Sequence, residues 1–202
     1  SGKRLLVANY YNDSVSLIDI ATRKVVSELD LRPGKTDSTK LGVPGGEFPV
    51  AIAWRGDDHA FVSAARDREV VALDVGRADL KIAGRTQTLG SPTSLLLDAT
   101  GARLYAVEDN ADRLLILDAK TGGLIAEPRL GLPETLNASA KGKGTNPNSL
   151  AFGPDQKTLL ITYGGINAVA VVALKANDAS VVGLIPTGWY PSAVVMRKDG
   201  KR

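Results

Sequence analysis

The segment Pro49-Val50-Ala51-Ile52-Ala53-Trp54-Arg55-Gly56-Asp57-Asp58-His59-Ala60-Phe61-Val62-Ser63-Ala64-Ala65 decides the fold, because the chain writes the same pattern again further on. Set in one column, the segments opening at Pro49, Pro92, Pro147 and Pro191 read PVAIAWRGDDHAFVSAA, PTSLLLDATGARLYAVE, PNSLAFGPDQKTLLITY and PSAVVMRKDGKR. Each is a proline, a short apolar run and a polar turn, and the first three add a second apolar run. A turn residue stands eight positions after each proline, at Asp57, Thr100, Asp155 and Asp199, and the prolines are 43, 55 and 44 residues apart.

The stretches at 14–31, 69–84, 113–130 and 168–185 also match one another. In each, apolar residues alternate or run together over five or six positions, a turn follows, and a further strand comes after it. Asp19, Asp74 and Asp118 end the third strand in three of these units. A carboxylate there serves the turn by accepting from nearby backbone N–H groups. Helical periodicity is weak, with the best candidate around residues 133–140.

Four short strands per unit of roughly 43 residues, separated by turn chemistry, mark a β-propeller blade. The predicted fold is all-β, a propeller of four-stranded antiparallel blades with innermost strands at 50–54, 94–97, 149–152 and 193–196. The repeats run approximately 1–44, 45–90, 91–144 and 145–188, with the start of another at 189–202. Gly2-Lys3-Arg4 lines up with Gly200-Lys201-Arg202, so about four repeat lengths are present. Three closures follow: a larger ring of about seven blades, two copies forming eight, or one copy forming four by setting 193–196 beside 5–8. The larger ring is the expectation. Either the remainder of a propeller or a second copy is needed to close it, because bare blade edges invite pairing.

The repeat resembles the forty-residue YVTN-type propeller repeat of bacteria and archaea. The matching pieces are Gly2-Lys3-Arg4-Leu5-Leu6-Val7-Ala8-Asn9, then Val15-Ser16-Leu17-Ile18-Asp19, then Lys24-Val25-Val26. Gly164-Gly165-Ile166-Asn167-Ala168-Val169-Ala170-Val171 and Gly183-Leu184-Ile185-Pro186-Thr187-Gly188-Trp189-Tyr190-Pro191 further resemble the propeller half of proteins fused to an alkaline-phosphatase-superfamily phosphoesterase. The resemblance implies an exported, periplasmic or cell-surface protein. No phosphoesterase domain stands in this sequence, so none of that domain's metal ligands or its nucleophile maps onto a residue here.

Composition narrows the function. The chain has 202 residues, 44% apolar and 23% charged, which is the balance of a globular protein rather than a disordered one. The longest clean apolar run, 168–174, is far short of the roughly 18 residues a spanning helix needs, so membrane insertion is not expected. A net charge of +3 with Lys and Arg scattered gives no stripe for nucleic acid. With no cysteine there is no disulfide, thiolate metal site or Cys nucleophile, a composition that suits an oxidising compartment. His59 is the only histidine, which removes histidine-centred triads and multi-histidine metal sites.

Propeller topology gathers the loops between second and third strands, and between outer and next inner strands, on one face around the channel. Tyr11, Arg66, Asp67, Glu108, Asp109, Trp189 and Tyr190 fall in those loops and are the candidate ligand-binding residues. Glu108, Asp109 and Asp112 offer oxygen ligands and Arg66, Asp67 and Arg68 an anion site. The acidic spacing lacks the order of a calcium loop, so solvated turns are the plainer reading and neither metal nor cofactor is expected. Trp189 and Tyr190 offer a flat surface for a ligand, or else pack between blades. Lys141-Gly142-Lys143-Gly144 lacks the strand and helix that make a phosphate cradle. No catalytic residue is identified. The expected function is a non-catalytic binding or scaffold module for a small molecule, glycan or protein. The alternative is a propeller hydrolase of the lactonase kind or the accessory half of a phosphoesterase.

Overall fold

The computed structural model describes residues 2–133 and 144–197. Four antiparallel sheets follow one another along the chain, three of four strands and one of three. The first contains β1 (Arg4–Asn9), β2 (Ser14–Asp19) and β3 (Lys24–Asp30), and the second β4 (Pro49–Arg55), β5 (His59–Ala64), β6 (Glu69–Val75) and β7 (Leu80–Gln87). The third contains β8 (Pro92–Leu97), β9 (Arg103–Glu108), β10 (Arg113–Asp118) and β11 (Leu124–Ala126), and the fourth β12 (Pro147–Phe152), β13 (Thr158–Tyr163), β14 (Ala168–Lys175) and β15 (Asp178–Pro186). Strands pair in chain order within every sheet, which is the meander of a propeller blade. The protein is all-β and built of such blades.

Period-two alternation explains how the blades stack. On β9, Leu104 and Ala106 join a core with Phe61, Val70, Leu115 and Leu117, while Tyr105 and Val107 join another with Leu114, Ile116, Leu159 and Ile161. Leu6, Val15 and Leu17 meet Val62, Val71 and Leu73 in a third core. Each core fills one junction between successive blades, so an inner blade buries both faces and its strands read as nearly unbroken apolar runs.

Polar groups fix the rest. Asp19 Oδ1 accepts from Thr22 N–H at 2.7 Å and Asp118 Oδ1 from Thr121 N–H at 2.8 Å, closing the third-strand turns. The backbone bond to Thr22 and to Thr121 is the main reason each carboxyl titrates below the ordinary aspartate value. Arginines bind carbonyls across the junctions at that end: Arg4 Nη1 to Val75 O at 3.1 Å, Arg55 Nε to Gly101 O at 3.1 Å, and Arg103 to Ala176 O. Register shifts recur between third and fourth strands, at Leu17/Ile18, Ala72/Leu73, Ile116/Leu117 and Val171/Val172. Such bulges sharpen the twist of each blade.

One strand expectation is corrected. Residues 193–196 do not form an innermost strand; the backbone over 191–197 carries no regular structure. It lies against the fourth blade through Asn148 Nδ2 to Pro191 O at 3.2 Å and Val194 N–H to Ser149 Oγ at 3.3 Å. A strand needs a ladder partner, and among the described residues no strand pairs with this segment. Strand β1 pairs only with β2, so the four-bladed closure is not formed either. The helix candidate at 133–140 and the 141–144 loop lie outside the described residues except for Pro133 and Gly144. No helix among the described residues is long and apolar enough to cross a membrane.

Candidate functional site

The turns between second and third strands and the connections leaving each outer strand share one end of the blades. They are tied there by backbone bonds such as Leu31 N–H to Asp13 O at 2.8 Å and Leu130 N–H to Asp112 O at 2.7 Å. Arg66 follows β5 and Glu108 ends β9, equivalent strands of neighbouring blades, so both stand at this end.

The predicted residues fall into three groups. The first surrounds Phe48, where the chain enters the second blade. Tyr10 stacks on Phe48 with ring centroids 4.7 Å apart and an interplanar angle of 20°, and Tyr11 meets Tyr10 edge-on at 4.9 Å. The Arg66 guanidinium sits 5.3 Å from the Phe48 ring centre and its Nε bonds Glu47 at 3.0 Å. Asp67 Oδ2 accepts from Glu47 N–H at 2.8 Å, holding that segment in place. Tyr11 is 87% exposed, a large ring presented to solvent rather than folded into the core. It also lines a polar hollow of about 540 Å³ with Ser14, Glu28 and Arg32.

The second group is acidic. Asp109 Oδ1 accepts from Asn146 Nδ2 at 3.0 Å, so it braces the entry to the fourth blade. Glu108 lies beneath the surface at 0% exposure, and neither of its carboxylate oxygens has a hydrogen-bond partner. Burial, and then the neighbouring Glu127 carboxylate, push its pKa up to about 7. A wholly buried carboxyl can keep its charge only at high cost, so burial favours its protonated form. Thr93, the bulged residue between the pairs Pro92–Glu108 and Ser94–Val107, also has a buried hydroxyl without a partner.

The third group is at the exit of the fourth blade. Trp189 is 92% exposed and is not buried against any of the described blades. Tyr190 lies on Gly164, where an added Cβ would sit 2.7 Å from the ring, and its N–H bonds Asn167 Oδ1 at 2.9 Å. The structure thus unites Tyr11, Arg66 and Asp67, and places Glu108 and Asp109 together. Trp189 and Tyr190 form the third group, at the exit of the fourth blade.

Two arrangements escaped the sequence reading. Glu69, at 4% exposure, binds the Arg85 guanidinium and takes Gly46 N–H on Oε1 at 2.6 Å, while Arg85 also donates to Leu31 O. His59 Nδ1 stands 2.9 Å from Asp74 Oδ1 across the β5–β6 pair. Alternation along β6 signals the first only by an acid at a position otherwise apolar. Among the described residues no group of three or more His, Cys, Asp or Glu side chains could hold a metal ion.

No protein-family profile matches the chain. Among curated proteins it is similar to the uncharacterized protein YncE of Salmonella typhimurium, with 22% identity over 204 residues that cover 98% of this chain and 52% of that protein. The chain therefore spans about half the length of the curated relatives it matches. Among solved structures, it resembles a Bacteroides uniformis protein provisionally named a 6-phosphogluconolactonase, with TM-score 0.75, 15% identity, and 100% of this chain and 60% of that one covered. The periplasmic gluconolactonase PpgL of Pseudomonas aeruginosa gives TM-score 0.72 and 15% identity, covering 95% of this chain and 53% of that one. At such identities the likeness is one of fold, and it is the propeller fold.

Proposed function

We propose that the chain is part of an exported bacterial binding propeller of the YVTN type, whose ligand, a small molecule, glycan or partner protein, sits on the loop face. The Tyr10–Tyr11–Phe48–Arg66 assembly carries this reading. Exposed stacked rings beside a guanidinium and two carboxylates offer both an apolar platform and directional polar contacts. A screen of immobilised glycans, followed by titration of the strongest hit, tests it. Tyr11→Ala and Arg66→Ala should each weaken binding about tenfold with an unchanged thermal midpoint; undiminished binding would move the ligand elsewhere. Absence of cysteine and the periplasmic neighbour support export, and the 164–171 and 183–191 motifs support association with a phosphoesterase domain.

A second reading, a lactonase-type hydrolase, is favoured by the two structural neighbours named for lactone hydrolysis. Acid release from glucono-δ-lactone is the expected result on this reading, and no release by the parent chain would dismiss it.

The ring is completed by further blades or by a second copy. Strand β1 has one free edge, and Val182, Ile185 and Val195 of the last blade region are 59%, 44% and 88% exposed. Sedimentation of the 202-residue chain tests this, since a stable, well-behaved monomer would contradict both closures.

A further inference from the structure

Between the outer strands of the first two blades lies a cleft of about 760 Å³, within the usual range of small-molecule sites. Its floor is apolar, from Leu29 on β3 and Leu80 and Ile82 on β7. Its roof is the connection of residues 32–46, which includes the short helix α1 (Pro33–Thr36) and a 3-10 turn at Ser38–Lys40, and which sets Val43 over the opening. Long connections with internal structure are commonly functional.

The roof is bolted at both ends by one ion pair, of a buried Glu69 and a partly buried Arg85. Arg85 donates to Leu31 O where the connection leaves β3, and Glu69 accepts from Gly46 N–H where it returns. Arg85 and Glu69 pair with each other and both line the cleft. The pair is thus a fixed strut.

Val43 lines the cleft and is 50% exposed. Two cations stand at the rim of the cleft. Lys40 Nζ pairs with Asp37 at 3.3 Å and Lys81 Nζ with Asp79 at 3.4 Å, and the lysines are 58% and 76% exposed. Exposed pairs of this kind contribute little, so either ammonium can turn to a ligand at small cost. Neither aspartate lines the cleft. The lining itself therefore combines an apolar floor with excess positive charge.

We propose that this cleft binds a small amphipathic monoanion, with its apolar body on Leu29, Leu80 and Ile82 and its acidic head between Lys40 and Lys81. The site is separate from the loop-face aromatic assembly, and the two stand or fall independently. Calorimetric titration of decanoate into the full chain tests it. One saturable site in the micromolar range is expected. Ile82→Glu should weaken it by at least about tenfold, and the surface double change Lys40→Gln/Lys81→Gln by at least about threefold without moving the thermal midpoint. Decanol, which lacks the head group, should bind at least about tenfold more weakly, and Tyr11→Ala should leave decanoate binding unchanged. An absence of saturable heat, equal binding of decanol, undiminished affinity in the lysine double variant, or a loss on Tyr11→Ala would each overturn the proposal.

Discussion

Asn167 accepts the backbone N–H of Tyr190 on its Oδ1 at 2.9 Å while its own carbonyl accepts the N–H of Thr187, also at 2.9 Å. Asp13 makes the same pair of bonds to Phe48 at 3.0 Å and Leu31 at 2.8 Å, and Asp112 makes it to Asn146 at 3.1 Å and Leu130 at 2.7 Å. All three latching residues are left-handed, with φ of 56°, 54° and 51°, a region in which Asn and Asp are the least penalised side chains after glycine. Each captured residue precedes a proline and has positive φ itself: 45° at Tyr190, 58° at Phe48 and 49° at Asn146. One Asx side chain per turn thus ties the end of its own outer strand to the entry of the next inner strand.

Asp112 offers the cleanest measurement of that latch. Beyond Asn146, its carboxylate takes Gly144 N–H at 2.7 Å and both the N–H and hydroxyl of Thr145, at 2.9 and 2.7 Å. Asp112→Gly keeps the left-handed backbone and removes only these bonds. A loss of about 2–3 kcal/mol in urea unfolding is expected, because several are charge-assisted and Thr145 is buried. Asp112→Asn should lose about 1 kcal/mol. A glycine variant as stable as the parent would show that the latch is incidental.

Arg68 occupies the same position in the second blade at φ 55°, where its carbonyl still takes Thr88 N–H at 2.7 Å. Its side chain cannot accept a hydrogen bond, and Ser91 N–H goes instead to Asn110 Oδ1 at 2.7 Å. Arg68→Asn should therefore raise stability by up to about 1 kcal/mol through relief of left-handed strain. A lower urea midpoint would mean that the guanidinium makes a contact worth more than the strain.

Blade order and register were legible because a proline, a run of alternating apolar residues and a turn recur at a nearly fixed interval. The latches were visible as letters, in Asp13, Asp112 and Asn167, but their role was not, since Asp13 meets a residue 35 positions downstream. Local pattern likewise reports strand propensity and not a partner, which is why 193–196 read as a strand and is not one. The loop-face position of Glu108 was legible, whereas its burial beside Glu127 depends on how the third blade packs.

Gly46 closes the roof over the cleft at φ +79°, and an added Cβ would stand 2.3 Å from Leu31 O, a backbone atom that cannot swing away. Gly42, at φ +82° in the same connection, has nothing within 4 Å of its Cβ position. Gly46→Ala should cost well over 2 kcal/mol and Gly42→Ala only the left-handed strain of about 1 kcal/mol. Thermal melts of the two variants compare the clash with the strain directly, and equal losses would mean that the roof adjusts freely.

Glu108 makes stability depend on pH in a direction opposite to most carboxylates. Its folded pKa of about 7 lies above the ordinary glutamate value of 4.5, so between those limits the folded state holds more proton than the unfolded chain. Stability then falls as pH rises, with the full contribution present below about 4.5 and lost by the time pH passes about 7. Sharing of the site with Glu127 spreads the step over a wider range. Glu108→Gln removes the titrating proton while keeping the shape of the side chain. The variant should be more stable than the parent at pH 8, by about 1–2 kcal/mol, and close to it at pH 5. Urea midpoints at the two pH values read the difference, and a gap that was the same at both would show that burial of the charge is not its source.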